Sequence, residues 1–256
     1  MLQQERKEKI KQIIKEKNLH NVADLKEYFG VSLSTIHRDL NELKREGWLM
    51  KFHGTVMLNE LEDIETRINV RLRSNIELKQ KIAQKALEFV ENDDCIFMDD
   101  SSTSYYFAQA ISKSSIKNLI IITNSYSIPG AFFNNNNIQV VCTGGLLLKE
   151  YDCFTGPIAI DALKKFNGDK FFLSAGAITL KDGLSDIFRP ESEEVKKEMS
   201  RLCRQKICLV DSTKFGKTGI SRTFLLSEID MIITDSNCSM QTREEFLAAG
   251  KALMIA

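Results

Sequence analysis

No apolar run in this chain of 256 residues approaches the roughly 20 that a membrane-spanning helix requires; Leu119 to Ile122 is typical of the longest. A helical span is excluded, and no membrane partner is expected. No apolar leader opens the chain, since its first seventeen residues are charged and helix-like, unlike a secretory signal. The six cysteines (Cys95, Cys142, Cys153, Cys203, Cys208, Cys238) include no C-x-x-C pair. Four lie in or beside apolar stretches and read as buried thiols of a reducing cytoplasm rather than disulfides or zinc ligands. No metal and no other cofactor are expected. Net charge is missing too, because 35 basic residues balance 35 acidic ones. The balance hides an asymmetry: residues 1–57 hold eleven Lys and Arg against eight Asp and Glu, with all three histidines, leaving 24 and 27 for the rest. An excess of three charges points to nucleic acid only if a motif stands behind it.

What is present is ordinary for a globular protein. Hydrophobic residues make up 43% and charged residues 27%, which excludes a disordered or fibrous chain. Leu2, Ile10, Ile13 and Ile14 recur at helical spacing over 2–17. Asn21 suits an N-cap for a short helix carrying Val22, Leu25 and Phe29, with Gly30 as its stop. Ser32 suits the cap of a third helix whose stripe is Leu33, Ile36, Leu40 and Leu43, ending at Gly47. Trp48 to Leu58 then reads as a β-hairpin turned at His53-Gly54. Three helices and a hairpin, the second and third helices joined by a tight turn, predict a winged helix-turn-helix.

Residues 59–75 are highly charged with little apolar periodicity and read as a linker, partly helical. Beyond them short apolar runs recur at Cys95–Met98, Leu119–Ile122, Val140–Cys142, Phe171–Leu173, Ile207–Val210, Met231–Ile233 and Leu253–Ile255. Helical segments such as 105–111, 158–166 and 191–203 separate most of them. That alternation predicts βαβ units and a buried, mainly parallel sheet. The expected organisation is α/β: a winged helix-turn-helix over 1–58, a linker over 59–75, and a larger effector domain over 76–256.

A recognition helix needs short polar and cationic side chains opposite its apolar stripe, near its N-terminus, where it enters the major groove. Ser32, Ser34, Thr35, His37 and Arg38 meet that need, and Asn41, Lys44 and Arg45 continue it toward the backbone. Lys51 and His53 on the wing are placed for phosphates or the minor groove. For each residue the plain alternative is a solvated helix face or a hairpin that only packs.

In the larger domain, Asp99-Asp100-Ser101-Ser102-Thr103-Ser104 follows one strand and opens a helix. Hydroxyls and N–H groups at a helix N-terminus suit a phosphate, although a Ser/Thr-rich cap turn is the ordinary explanation. Other strand ends carry Thr123-Asn124-Ser125 and Thr143-Gly144-Gly145. Ligands of open α/β sheets bind beyond the carboxyl ends of the strands. Later come Asp182-Gly183, an acidic cluster at Glu191, Glu193 and Glu194, and Asp211-Ser212-Thr213-Lys214-Phe215-Gly216. Lys214, past a strand end, suits a phosphate or a sugar hydroxyl; a solvated loop lysine is the alternative.

The run Val31–Gly54 resembles the signature of DeoR-type bacterial repressors, V-S-x-x-T-I-R-R-D-L followed by a wing ending in H-G-G. Val31, Ser32, Thr35, Ile36, Arg38, Asp39, Leu40, Leu43, Gly47, His53 and Gly54 match. His37 stands where arginine is usual, and Thr55 where a second glycine is. The remainder resembles the DeoR effector domain, similar in fold to ribose-5-phosphate isomerase, through landmarks at Asp99–Thr103, Thr123–Ser125, Gly144–Gly145, Gly176 with Gly183-Leu184-Ser185, Glu194–Lys197 and Asp211–Gly216. In the isomerase an acidic pair follows the fourth landmark, where this chain has Gly176-Ala177-Ile178-Thr179. The resemblance therefore implies a binding pocket without the isomerase's catalysis. It implies a transcriptional repressor of carbohydrate genes that binds operator DNA as a homodimer or homotetramer under the control of a phosphorylated sugar. The rival readings are a sugar-phosphate isomerase with an accessory N-terminal domain, and a scaffold with a degenerate helix-turn-helix.

Overall fold

A computed structural model describes residues 3–17, 22–45, 49–52, 55–58, 68–186 and 189–256. The expected cap at Asn21, the helix end at Gly47, Trp48, the turn at His53-Gly54 and segment 59–67 lie outside the described residues, as do the side chains of Lys44, Arg45 and Lys51. The chain divides into two units, Met1–Asp63 and Ile64–Ala256.

The first unit holds helices α1 (Gln3–Lys17), α2 (Val22–Phe29) and α3 (Leu33–Arg45), then strands β1 (Leu49–Phe52) and β2 (Thr55–Leu58). β1 and β2 pair antiparallel, Leu49 opposite Leu58. Ile10, Ile13, Val22, Leu25, Ile36, Leu40 and Leu43 form the core, at the helical spacing seen in the sequence. Gly30 takes φ +60°, a conformation that glycine adopts at little cost, and breaks the chain between α2 and α3. Ser32 then caps α3, its Oγ accepting from Thr35 N–H at 3.2 Å. α1 is tied to α3 by the buried pair Arg6–Asp39 and by Lys7–Glu42 at 3.3 Å.

In the second unit a short helix, α4 (Ile68–Arg73), and α5 (Ile76–Ala86) precede the sheet. Seven strands follow in the order β14-β13-β11-β8-β3-β4-β5. They are β3 (Cys95–Met98), β4 (Leu119–Thr123), β5 (Ile138–Cys142), β8 (Gly168–Leu173), β11 (Cys203–Leu209), β13 (Met231–Thr234) and β14 (Ala252–Ile255). All six pairings are parallel, and each strand corresponds to one of the apolar runs in the sequence. The runs are continuous because both faces are buried. Ile96, Met98, Phe172, Ile207 and Leu209 pack with α5 and with α6 (Ser102–Ser112) on one face. Phe97, Phe171, Leu173, Cys208 and Val210 pack on the other, with α7 (Pro157–Leu163), α8 (Pro190–Arg201) and α9 (Met240–Ala248).

Three features were not expected. A hairpin of β6 (Leu146–Leu148) and β7 (Cys153–Thr155) lies between β5 and α7. A second, antiparallel sheet joins β9 (Ala177–Thr179), β10 (Gly183–Asp186) and β12 (Ser221–Phe224). α4 falls within the charged segment read as linker, yet Ile68 and Arg71 are buried. Ile68 N–H donates to the Glu150 carbonyl and Arg71 to the Tyr151 carbonyl, so among the described residues that segment packs with the sensor fold from residue 68 onward.

Candidate functional site

The α3 surface is split as a recognition helix requires. Ile36, Leu40 and Leu43 face the core, while Ser34, Arg38 and Asn41 are exposed and Thr35 and His37 half-buried. Ser32 is engaged with its own helix, its Oγ 2.8 Å from both Ser34 Oγ and Thr35 Oγ1. Asp39, beside Arg38, points the other way: it is fully buried, and it accepts from Gln3 Nε2 at 3.2 Å as well as from Arg6. Arg6 is held more strongly protonated than usual, chiefly by its hydrogen bond to Asp39. One residue of the pair 38–39 is thus offered to solvent and the other builds the scaffold.

In the second unit the strand order reverses between β3 and β8, since the chain builds toward β5 on one side and toward β14 on the other. Ligands of open parallel sheets settle beyond such a switch point. Asp99, just past β3, spans it. Oδ1 accepts from Ser101 N–H at 3.1 Å and Ser104 Oγ at 2.6 Å; Oδ2 accepts from Ser174 N–H, past β8, at 2.8 Å. Lys196 of α8 lies 3.1 Å from the same oxygen and 3.6 Å from Asp186. Arg189 approaches Asp100 at 3.3 Å and Asp186 at 3.9 Å. Three carboxylates and two cations are therefore buried together. Burial alone would lower the pKa of Lys196, but Asp99, Asp186 and Asp100 together override it and hold the ammonium firmly protonated. The nearby Cys153 thiol is pushed up to about 12, chiefly by burial and then by Asp100, and is inert as a nucleophile at neutral pH.

The α6 N-terminus is partly occupied by this network. Ser101 Oγ accepts from Ser104 N–H at 3.0 Å, and Asp99 takes Ser101 N–H. The N–H groups of Ser102 and Thr103 remain as the first-turn donors that an α-helix cannot satisfy internally. Past β4, Thr123 Oγ1 accepts from Ser125 N–H at 3.0 Å, and Ser125 Oγ donates to Asp152 at 2.7 Å. Asn124 is completely buried; its Nδ2 donates to the Phe154 carbonyl at 3.3 Å, and its Oδ1 has no partner among the described residues. Gly145 takes φ +115°, and a Cβ there would meet the Thr155 carbonyl at 2.6 Å, so glycine is needed where the chain passes the end of β7 to enter β6. Gly144, at φ +63°, has open space around it.

The remaining expected residues scatter. Asp211, past β11, accepts from Thr213 N–H at 3.0 Å and turns the chain so that half-buried Lys214 follows. Asp182 lies in the turn between β9 and β10, paired with Arg222 at 2.8 Å, and its carboxyl is held below the usual range, first by that arginine. Glu194 is exposed on α8. The buried α8 positions are Ser192, Glu193, Val195, Lys196, Met199 and Ser200, so helical periodicity from Val195 and Met199 was the signal that would have selected Lys196. A cavity of about 330 Å³ beside the end of β4 is lined by Ile68, Asn69 and Leu72 of α4 with Tyr126, Ser127, Leu147, Lys149 and Asp152. A larger groove, about 830 Å³, lies along α5 and α6 and carries none of the strand-end hydroxyls.

A winged helix offering a polar recognition face, followed by a parallel-sheet unit with a buried charged network at its switch point, defines a DNA-binding regulator with an attached sensor. Residues 6–62 match the DeoR-like helix-turn-helix domain and residues 74–236 the DeoR C terminal sensor domain. The chain belongs to the DeoR family of transcriptional regulators. It is 33% identical over 236 residues to an uncharacterized HTH-type transcriptional regulator of Bacillus subtilis, YulB, covering 92% of this chain and 90% of that one. It is 30% identical to the HTH-type transcriptional regulator GolR of Listeria innocua, over 98% of both chains. It is 32% identical to the L-fucose operon activator of Escherichia coli, over 82% of this chain and 86% of that one. A solved ribose 5-phosphate isomerase from Methanocaldococcus jannaschii aligns with 56% of this chain and 55% of its own at 18% identity and a TM-score of 0.41, too distant to carry chemistry. The protein is a regulator of transcription and not an isomerase. Among the described residues, no helix is long and apolar enough to cross a membrane.

Proposed function

We propose that the sensor unit binds a phosphorylated sugar at the carboxyl edge of the parallel sheet, and that occupancy changes the affinity of the winged helix for an operator. The observation that carries this reading is Asn124 Oδ1, a buried acceptor without a partner among the described residues. An acceptor so placed costs free energy until a donor such as a sugar hydroxyl reaches it. Ser102 and Thr103 supply N–H and hydroxyl donors one strand away, and Lys214 follows β11, two strand spacings or about 10 Å from β3, a span that a sugar phosphate bridges. Asp99, Asp211, Thr123, Ser125, Gly144 and Gly145 shape the loops that carry these groups. The relative named an L-fucose operon activator supports a sugar as the controlled metabolite.

The DNA-contacting set is Ser34, Thr35, His37, Arg38 and Asn41, with Lys44, Lys51 and His53 added from the sequence. Operator half-sites need two recognition helices, so the working form is a homodimer or homotetramer in the cytoplasm, where the operator is. Repression is the mode the signature implies. A thermal-shift screen against pentose and hexose phosphates tests the reading, because a ligand at 100 times its Kd stabilises the native state by about 2.7 kcal/mol. Operator titration with and without the hit then gives the sign of control. If no sugar phosphate stabilises the protein, the effector reading fails.

A further inference from the structure

α4 contains six residues, too few to hold helical structure unaided in water, so its anchors decide its position. Tyr106 of α6 donates from Oη to the Leu72 carbonyl at 2.7 Å. Arg71 donates from Nη2 to the Tyr151 carbonyl at 3.4 Å, and Ile68 N–H donates to the Glu150 carbonyl at 3.1 Å. Lys79 of α5 closes the far end by donating to the carbonyls of Arg71 and Ser74.

Apart from Lys79, these anchors lead back to the strand-end site. α6 begins in the loop that carries Ser102 and Thr103, so Tyr106 sits one turn from their N–H groups. The 150–152 turn is attached to the site twice. Asp152 accepts from Ser125 Oγ at 2.7 Å and Ser127 Oγ at 2.6 Å. The Tyr151 ring lies 4.7 Å from the guanidinium of Arg189, which pairs with Asp100. One arm therefore runs from the loop after β3 through α6, and the other from Asp100 through Arg189 and Tyr151. Both end on α4, the last described segment before residues 59–67 lead to the DNA-binding unit.

We propose that α4 is the output element of the sensor: occupancy of the strand-end site repositions it through Tyr106 and through the Arg189–Tyr151–Arg71 chain, and the covalent connection passes that change to the winged helix. The trigger rests on the sugar-phosphate reading, but the mechanical link does not. A short helix held by a few hydrogen bonds is a low-stability element of the kind that switching uses. Coupling between two places is reciprocal, so loosening α4 must loosen the site.

The test is amide hydrogen exchange on the full chain carrying Tyr106→Phe, which removes one hydroxyl outside the binding loops. The expected result is exchange about fivefold faster over 68–73 and also faster over 99–104, with 240–248 unchanged, about the effect of one net hydrogen bond. Acceleration confined to 68–73, or spread equally over all three segments, overturns the proposal. A second arm uses ribose 5-phosphate, or whichever sugar phosphate first stabilises the wild type. Tyr106→Phe should bind it more weakly, by no more than about fivefold in calorimetry, and with saturating ligand its effect on operator affinity should shrink. An undiminished effect on the operator overturns the relay. Absence of any sugar-phosphate binding overturns the effector reading alone, and the exchange result still decides the link.

Discussion

Adjacent residues in this protein have opposite duties, and substitution separates them. Arg38 is exposed on the polar face of α3. Arg38→Ala is expected to weaken operator binding by about 1–3 kcal/mol, as for a base or phosphate contact, with the fold intact; a mobility-shift titration with unchanged affinity refutes it. Lys214 tests the other site. In the proposed site it is the charge-assisted partner of a phosphate, an interaction worth about 1.5–3 kcal/mol, so Lys214→Ala should weaken effector binding roughly 10- to 100-fold. Operator binding without effector should persist. Calorimetry that finds full effector affinity removes Lys214 from the effector site. Elsewhere the motif is a poorer guide: Glu194 belongs to it but faces solvent, while Lys196, two positions on, carries the buried charge. The motif supplies the letters and only the helical phase says which of them points inward.

Among the elements, the buried ion pairs are points where one truncation is costly. Asp39 is fully buried against Arg6, and removing one member of a buried pair strands the other, at a cost of about 3–5 kcal/mol. Asp39→Ala should therefore abolish operator binding by unfolding the winged helix, unlike its neighbour Arg38→Ala. In a calorimetric scan the winged-helix transition should fall while the sensor transition stays; a normal scan with lost DNA binding would make Asp39 a direct contact instead. The seven strands of the main sheet were legible because burial on both faces leaves an uninterrupted apolar run. The small sheet was not, because Gly183-Leu184-Ser185-Asp186 is short and largely polar. α9 was missed since Phe246 is its sole buried residue, which leaves no stripe to read. The segment of α4 was read as partly helical linker, but its packing was hidden because one of its two buried residues is an arginine.

For the whole molecule, the chain divides into two compact units, Met1–Asp63 and Ile64–Ala256. Residues 59–67 are charged and lack apolar periodicity in the sequence, whereas 68–75 include buried Ile68 and Arg71. Mild proteolysis is expected to cut first within 59–67 and to leave a fragment that begins near residue 68 and still binds the effector. First cuts mapped by mass spectrometry inside 95–235 would show that the division is misplaced. Winged helix and sheet were both visible as periodicities. The closed network at the switch point was not, because it joins residues as far apart as Asp99 and Lys196 that only the strand order brings together.

That strand order also governs how the protein is made. β3 is an interior strand, flanked by β4 and β8, and β8 begins only at Gly168, so a chain leaving the ribosome can first assemble only β3, β4 and β5. Each later strand joins outward in the order of its synthesis, β8, β11, β13 and finally β14, so the growing edge always awaits the next piece of chain. An open edge of apolar strands is a template for pairing with other chains. Messages truncated, or translation stalled, between residues 124 and 251 should therefore yield insoluble material rather than partly active sensors, while the winged helix, completed earlier, folds normally at the front of each fragment.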